Sequence, residues 1–249
     1  MAILANTMVR SGAITMMPRV ATIATMATRL KTFQKVLPVI HSQVDHVFIY
    51  LDGYSARPTF LASFDRITVR IAEELRDLHA NSRYLCLEDL KVPTVVASVD
   101  DDIIYPWNYI SRLVDLLQRL DGHAIVGVHG RIFTPPHRSY AWDAVALHFS
   151  YRVEHPCHVH ELGTGTCAFV SNIFNVNPKD WGRTDTDDID VAIEAQRRGL
   201  PRIAIARPAG WLKPLAEKQA DSLWARTLKD DSEQSRRMRT LLSLYADGN

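Results

Sequence analysis

Cysteine is scarce, with Cys86, Cys157 and Cys167 the only three in 249 residues. They show no Cys-x-x-Cys spacing, and an odd number argues against a disulfide framework. They read as reduced thiols, which suits the cytosol. No apolar run approaches the ~20 residues that a bilayer-spanning helix needs. The mildly apolar segment before Pro18 is interrupted by Arg10, unlike a secretory signal, so it reads as a loose or locally packed tail. A formal net charge of only +1 supplies no global field for nucleic acid or for an anionic membrane. No Gly-x-Gly-x-x-Gly follows the first apolar run and no Gly-x-x-x-x-Gly-Lys-Ser/Thr occurs, which disfavours a dinucleotide fold and a P-loop. No repeat, low-complexity tract or Gly/Ser linker divides the chain. A cytoplasmic protein is expected.

What is present is an ordinary globular composition, 47% hydrophobic and 23% charged, long enough for one large domain or two small ones. Short β-branched runs alternate with helical stretches. "RVATIATMAT" (Arg19 to Thr28) reads as a first strand, and Leu30, Phe33, Val36 and Leu37 then recur at helical spacing until Pro38, which is expected to kink or interrupt the helix. "VFIYL" ends at Asp52-Gly53, "ITVRIA" is a third strand, and "AEELRDLHANSRYLCLEDL" reads as helix followed by loop. "TVVASV" (Thr94 to Val99) is the most strand-like run, "PWNYISRLVDLLQRL" a helix, and "HAIVGVHGRIF" another strand. This alternation predicts an α/β fold: a mostly parallel sheet sandwiched by helices. Ligands of such sheets bind beyond the carboxyl ends of the strands, where Asp52 and the Asp100–Asp102 cluster fall.

Three successive carboxylates after a buried strand repel one another unless water, hydrogen bonds or a cation compensates them. Asp100 and Asp102 form an Asp-x-Asp pair that an extended backbone would aim the same way, toward one hard cation with open positions for phosphate oxygens. A solvated acidic turn before a helix is the plain alternative. In "TDTDDIDVAIEAQRRGLP", Asp185, Asp187, Asp188 and Asp190 crowd the start of a helix that stops at Gly199 and Pro201. The helix dipole favours one or two acids there. Four exceed that need, and a carboxylate so placed can also act as a general base. Gly163 and Gly165 in "ELGTGTCAF" allow a backbone close to a ligand. In "HFSYRVEHPCHVH", His148, His155, Cys157, His158 and His160 admit three readings: structural zinc, a histidine lining a substrate pocket or completing the Asp-x-Asp metal shell, or a polar surface strand.

Taken in order, "RVATIATMATR", "VFIYLDG", "VVASVDDDIIYPWNYI", "LGTGTCAF" and "TDDIDVAIEAQRRGLP" resemble the nucleotide-sugar glycosyltransferases of the GT-A fold, most nearly the inverting family 2 group, over about residues 19 to 208. The resemblance implies a GT-A, Rossmann-like catalytic domain over residues 19–210, preceded by a tail (1–18) and followed by a helical extension (211–249). It implies that Asp52 contacts the nucleotide base, with Thr25 and Thr28 nearby, and that Asp100 approaches the ribose or sugar. Asp101 joins the nucleotide-sugar site without a separate task. Asp102 would bind Mn²⁺ or Mg²⁺ bridging the diphosphate. Asp188, the second acid of the family's Glu-Asp pair, becomes the catalytic base, with Asp187 in the first position beside the acceptor loop of Gly163, Thr164 and Gly165. Asp190 would support it or cap the helix. The family's arginine later in that helix is missing, where Ala195 and Gln196 stand, and no histidine follows His160 to serve as third metal ligand. His158 or His160 would substitute, or water and diphosphate complete the shell.

The activity implied is single-displacement transfer from a nucleoside-diphosphate sugar, a UDP-sugar favoured, to a glycan or lipid-linked glycan hydroxyl in bacterial surface glycan synthesis. The alternatives are a nucleotidyltransferase acting on sugar phosphates, whose basic Gly-rich loop is absent after the first strand, and a non-catalytic carbohydrate-binding module, which has no need of Asp188. In the extension, Trp211, Leu212, Leu215, Leu223, Trp224 and Leu228 suit a lid or packing helix. The helix Ser235 to Ala246 sets Arg236, Arg237 and Arg239 beside leucines, which permits weak peripheral contact with an anionic bilayer or simply a solvated helix.

Overall fold

The computed structural model describes residues 14–71, 78–215 and 222–246. Strand β1 (Arg19–Met26) leads into helix α1 (Leu30–His41), β2 (His46–Asp52) and β3 (Ile67–Ile71). A 3-10 segment, His79–Leu85, runs into the short helix α2 (Cys86–Asp89), followed by β4 (Val95–Val99), β5 (Ile103–Ile104) and α3 (Tyr109–Arg119). Then come β6 (Ile125–Gly127), β7 (Gly130–Phe133), β8 (Ala144–Leu147), β9 (Cys157–His158), β10 (Glu161–Leu162) and β11 (Thr166–Val170). Helix α4 (Asp187–Arg197), β12 (Arg202–Ala204), β13 (Lys213–Pro214), α5 (Leu223–Thr227) and α6 (Ser232–Ala246) complete the chain.

Eight strands form one sheet in the order β3-β2-β1-β4-β11-β6-β12-β9. The first four are mutually parallel, β6 and β12 are parallel, and β11 runs antiparallel between β4 and β6. The result is an α/β architecture on a mixed, mostly parallel sheet, in a Rossmann-like arrangement. Alternation along the strands sorts the core. Val47, Ile49 and Leu51 of β2 and Val95, Ala97 and Val99 of β4 join α1 and α3 on one face. Phe48, Tyr50 and Val96 face the other way, toward Tyr84, Phe169, Trp181 and α4. Central strands buried on both faces need the near-continuous apolar runs seen here.

Two expectations about these elements differ from the structure. Helix α1 continues through Pro38 to His41. A mid-helix proline costs ~3 kcal/mol, and burial of Val36, Leu37 and Ile40 on both sides of it offsets that cost. The run from His123 to Phe133 is not one strand: β6 stays in the large sheet, while β7 joins β8 and β10 in a three-stranded sheet. The chain turns away because Val128 and His129 hydrogen-bond to the oxygens of Thr166 at the start of β11. The start of the helix expected after β3 falls on residues 72–77, outside the described residues; from His79 the chain forms a 3-10 segment and then a single helical turn. At the chain's start, residues 1–13 lie outside the described residues, and Ile14 is fully buried in the core.

Past residue 210 the chain contributes to the same core. Leu212 is fully buried and β13 pairs with β5. Helix α6 docks on α4 through Ile189, Ala192, Ile193, Met238 and Leu241. Arg237 fixes that contact by pairing with buried Asp190, with Glu233 (2.9 Å) and with the Trp181 carbonyl (3.0 Å). Among the described residues no helix is long and apolar enough to cross a membrane.

Removing Arg237 strands a buried carboxylate, and breaking one side of such a pair costs about 3 kcal/mol. Arg237→Ala is therefore expected to lower the urea midpoint clearly, whereas Arg236→Ala, at an exposed position paired only within α6, leaves it nearly unchanged. Equal midpoints for the two variants would contradict this role.

Candidate functional site

Strand register builds the site. The carboxyl ends of β1, β2 and β4 share one edge of the sheet, with Met26 beside Asp52 and Ile23 beside Val99. Because β11 is antiparallel to β4, Thr166 stands opposite Val99, which brings the Gly163–Gly165 loop against Asp100. The Asp100 amide is shared between the Gly165 carbonyl (3.2 Å) and the Tyr105 hydroxyl (2.9 Å), and that hydroxyl donates to the same carbonyl at 2.6 Å. A Cβ on residue 165 would lie 1.8 Å from Asp100 Oδ2, so any other residue there would push the Asp100 carboxylate from its place.

The same loop meets the start of α4. The Thr164 amide donates to Asp188 Oδ1 and its hydroxyl to Asp187 Oδ2, both at 2.7 Å. The N-cap residue Thr186 makes no side-chain capping bond. The four acids divide their work: Asp185 pairs with Arg183 at 2.7 Å, Asp190 holds Thr186 and Arg237, and Asp187 and Asp188 face the glycine loop. Burial and mutual repulsion raise the Asp188 pKa well above the carboxylate range. Burial raises Asp187 as well, opposed by Arg83 and the Thr164 hydroxyl.

Two adjoining cavities open here. One, of about 510 Å³, is lined by Thr25, Thr28, Asp52 and Asp101. The other, of about 630 Å³, is lined by Gly163, Thr164, Gly165, Asp187 and Asp188. Asp100, Asp102 and Arg83 line both, whereas Asp101 reaches only the first. Alternate carboxylates thus share the junction. Asp101 is buried, and that burial pushes its carboxyl up to about 7, helped by its two acidic neighbours and opposed by Thr25 and Arg29. Short helix α5 spans the two cavities: Leu223 lines both, Arg226 the first and Trp224 the second.

His158 and His160 are not brought to Asp102. His158 lies on β9, four strands from β4, on the order of 19 Å at sheet spacing. The His160 ring stacks on Phe133 and accepts a hydrogen bond from its amide. Both histidines line a separate cavity with Arg202 and Tyr245. Of that histidine group it is His148 that faces the second cavity, edge-on to His129.

Sequence reasoning missed the counter-ions. Arg83, itself buried, lies 3.0 Å from Asp100, and Arg29 lies 2.7 Å from Asp102. His79 pairs with Asp52 at 2.8 Å. It also missed His129, whose pKa burial drives down to about 3, and buried Glu161, which accepts from the Tyr140 hydroxyl at 2.7 Å. None of these carries a local motif; they come from separate elements.

Among the described residues no three His, Cys, Asp or Glu side chains form a self-sufficient metal cluster. The donor set fits a different kind of site. Mg²⁺ and ions like it are usually held by one or two carboxylates, with water and substrate phosphates completing the shell. Asp100 and Asp102, open to both cavities, could supply that pair. Among the described residues five carboxylates line the first cavity against three guanidiniums. No protein-family model matches the chain, and no curated protein matches its sequence.

Burial pushes Glu161 up to about 8, with the Asp188 charge adding to it. A folded-state pKa above the unfolded value favours folding at low pH, and that contribution is lost as pH rises toward 8. The melting temperature should therefore fall between about pH 5.5 and 8.5, and fall less in Glu161→Gln, which cannot ionise. An identical fall in both proteins, followed by calorimetry, would show that Glu161 is not the group titrating.

Proposed function

We propose that this chain is an inverting nucleotide-sugar glycosyltransferase of the GT-A type. The observation that carries the reading is the convergence of the Asp187–Asp188 pair on the Gly163–Gly165 loop, beside the Asp100–Asp102 turn and between two cavities. The first cavity takes the nucleoside diphosphate: Asp52 faces the base, and Thr25 and Thr28 line the floor beneath it. The second takes the acceptor, a glycan or lipid-linked glycan, whose pyranose rings suit the apolar faces of Trp224, Tyr140 and Phe149. Asp100 and Asp102 stand where the donor sugar passes from one cavity to the other.

Asp188 removes the proton from the attacking acceptor hydroxyl. A base works best when its pKa lies near the operating pH, and burial beside Asp187 raises Asp188 in that direction. The Thr164 amide fixes one carboxylate oxygen and leaves the other for the acceptor. Asp187, tied to the Thr164 hydroxyl, keeps the loop and helix in register and keeps the base's proton affinity high. Arg83 holds Asp100 and adds positive charge to the junction where the leaving group departs. A divalent cation, Mn²⁺ or Mg²⁺, held by Asp102 with Asp100 would supply further neutralisation of the diphosphate's negative charge. One base on the acceptor side implies a single in-line displacement with inversion at the anomeric carbon.

Asp188→Asn keeps an oxygen for the Thr164 amide but cannot take a proton. It is expected to lower kcat by about 10³-fold while changing the donor Kd by less than about threefold. Steady-state kinetics and donor titration together test this, and transfer at the wild-type rate would remove Asp188 as the base.

A further inference from the structure

Arg29 closes the turn between β1 and α1, so the register that presents Thr25 and Thr28 to the first cavity also fixes its guanidinium. Its Nη1 lies 2.7 Å from Asp102 Oδ2 and 3.7 Å from Asp101 Oδ1. Both partners of the shorter pair are largely shielded, with side chains 11% and 23% exposed. Asp100 is neutralised separately, by Arg83 at 3.0 Å. The carboxylate best placed to take a cation is therefore already engaged by a charged donor. Such a charge-assisted contact is stronger than a neutral hydrogen bond, more so away from water.

We propose that Arg29 is an internal counter-ion that competes with the divalent cation for Asp102, so that the site takes the cation together with a nucleoside diphosphate rather than alone. The inference rests on the reading of the first cavity as a metal–nucleotide site. Its logic is charge balance. A cation entering alone must take Asp102 from Arg29 and bring a second positive charge up against that shielded guanidinium, which is costly. A diphosphate entering with the cation offers that guanidinium replacement oxygens. Binding of the two ligands is then coupled, and coupling between binding sites is reciprocal. Arg29 is here a positioning residue that sets metal affinity.

The test is titration of Mn²⁺ by electron paramagnetic resonance into the full chain, alone and with UDP, GDP or ADP in turn. The proteins are wild type, Arg29→Gln, Arg29→Lys and Arg29→Gln/Asp102→Asn. Wild type should bind Mn²⁺ alone weakly and more tightly with its nucleoside diphosphate. Arg29→Gln should bind Mn²⁺ alone about tenfold more tightly, with a smaller gain from the nucleotide. Arg29→Lys, which keeps the charge, should stay near wild type, and the double variant should lose the gain. Equal Mn²⁺ affinity in wild type and Arg29→Gln overturns the counter-ion role, yet leaves the donor-site reading intact if the nucleotide still tightens Mn²⁺ binding. Failure of every protein to bind Mn²⁺ with any of the three nucleotides overturns both.

Discussion

Arg83 is the group on which the site depends. It comes from the 3-10 segment after β3, is almost wholly buried, and reaches across to Asp100 at the end of β4. Burial alone would lower its pKa; the carboxylates of Asp100 and Asp187 more than reverse that pull and hold it up. The dependence is mutual, since the Arg83 charge is what lowers Asp187 against the effect of burial. Without a fixed cation at this point, the acids after β4 and those at the start of α4 would repel one another across the gap that the glycine loop bridges.

From that balance the two cavities acquire different characters. On the first, carboxylates have assigned partners: Arg29 for Asp102, Arg83 for Asp100, His79 for Asp52. An anionic ligand entering this cavity would exchange these partners rather than meet bare charge. On the second, Asp188 is held by one backbone amide beside the repelling Asp187, and among the described residues no guanidinium or lysine is hydrogen-bonded to it. A carboxylate without a cationic partner keeps its affinity for protons, which is the property a general base needs.

Much of this edge was legible in the sequence because it depends on local pattern. The apolar run into Asp100–Asp102, Asp52 after "VFIYL", and the acids ahead of an amphipathic helix each announce a strand or helix end, and the parallel-sheet rule places such ends together. What was not legible depends on distant pairing. Arg83 and Arg29 look like ordinary surface arginines in their segments, and only register aims them at acids 17 and 73 residues away. His158 and His160 fit a metal shell by residue type, but the eighth strand of the sheet carries His158 to the far edge. Asp190 looked like one more helix-start acid until α6 arrived from the end of the chain with Arg237.

The account's central claim is that bond breaking occurs at the sugar's anomeric carbon and releases a nucleoside diphosphate. The most direct measurement is ³¹P and ¹H NMR of the protein with Mg²⁺, incubated with a panel of nucleotide sugars and simple glycan acceptors and, in parallel, with nucleoside triphosphates and sugar phosphates. The account predicts that one donor yields nucleoside diphosphate in step with an inverted glycoside. Pyrophosphate formed from a nucleoside triphosphate and a sugar phosphate, with every nucleotide sugar left intact, would contradict it.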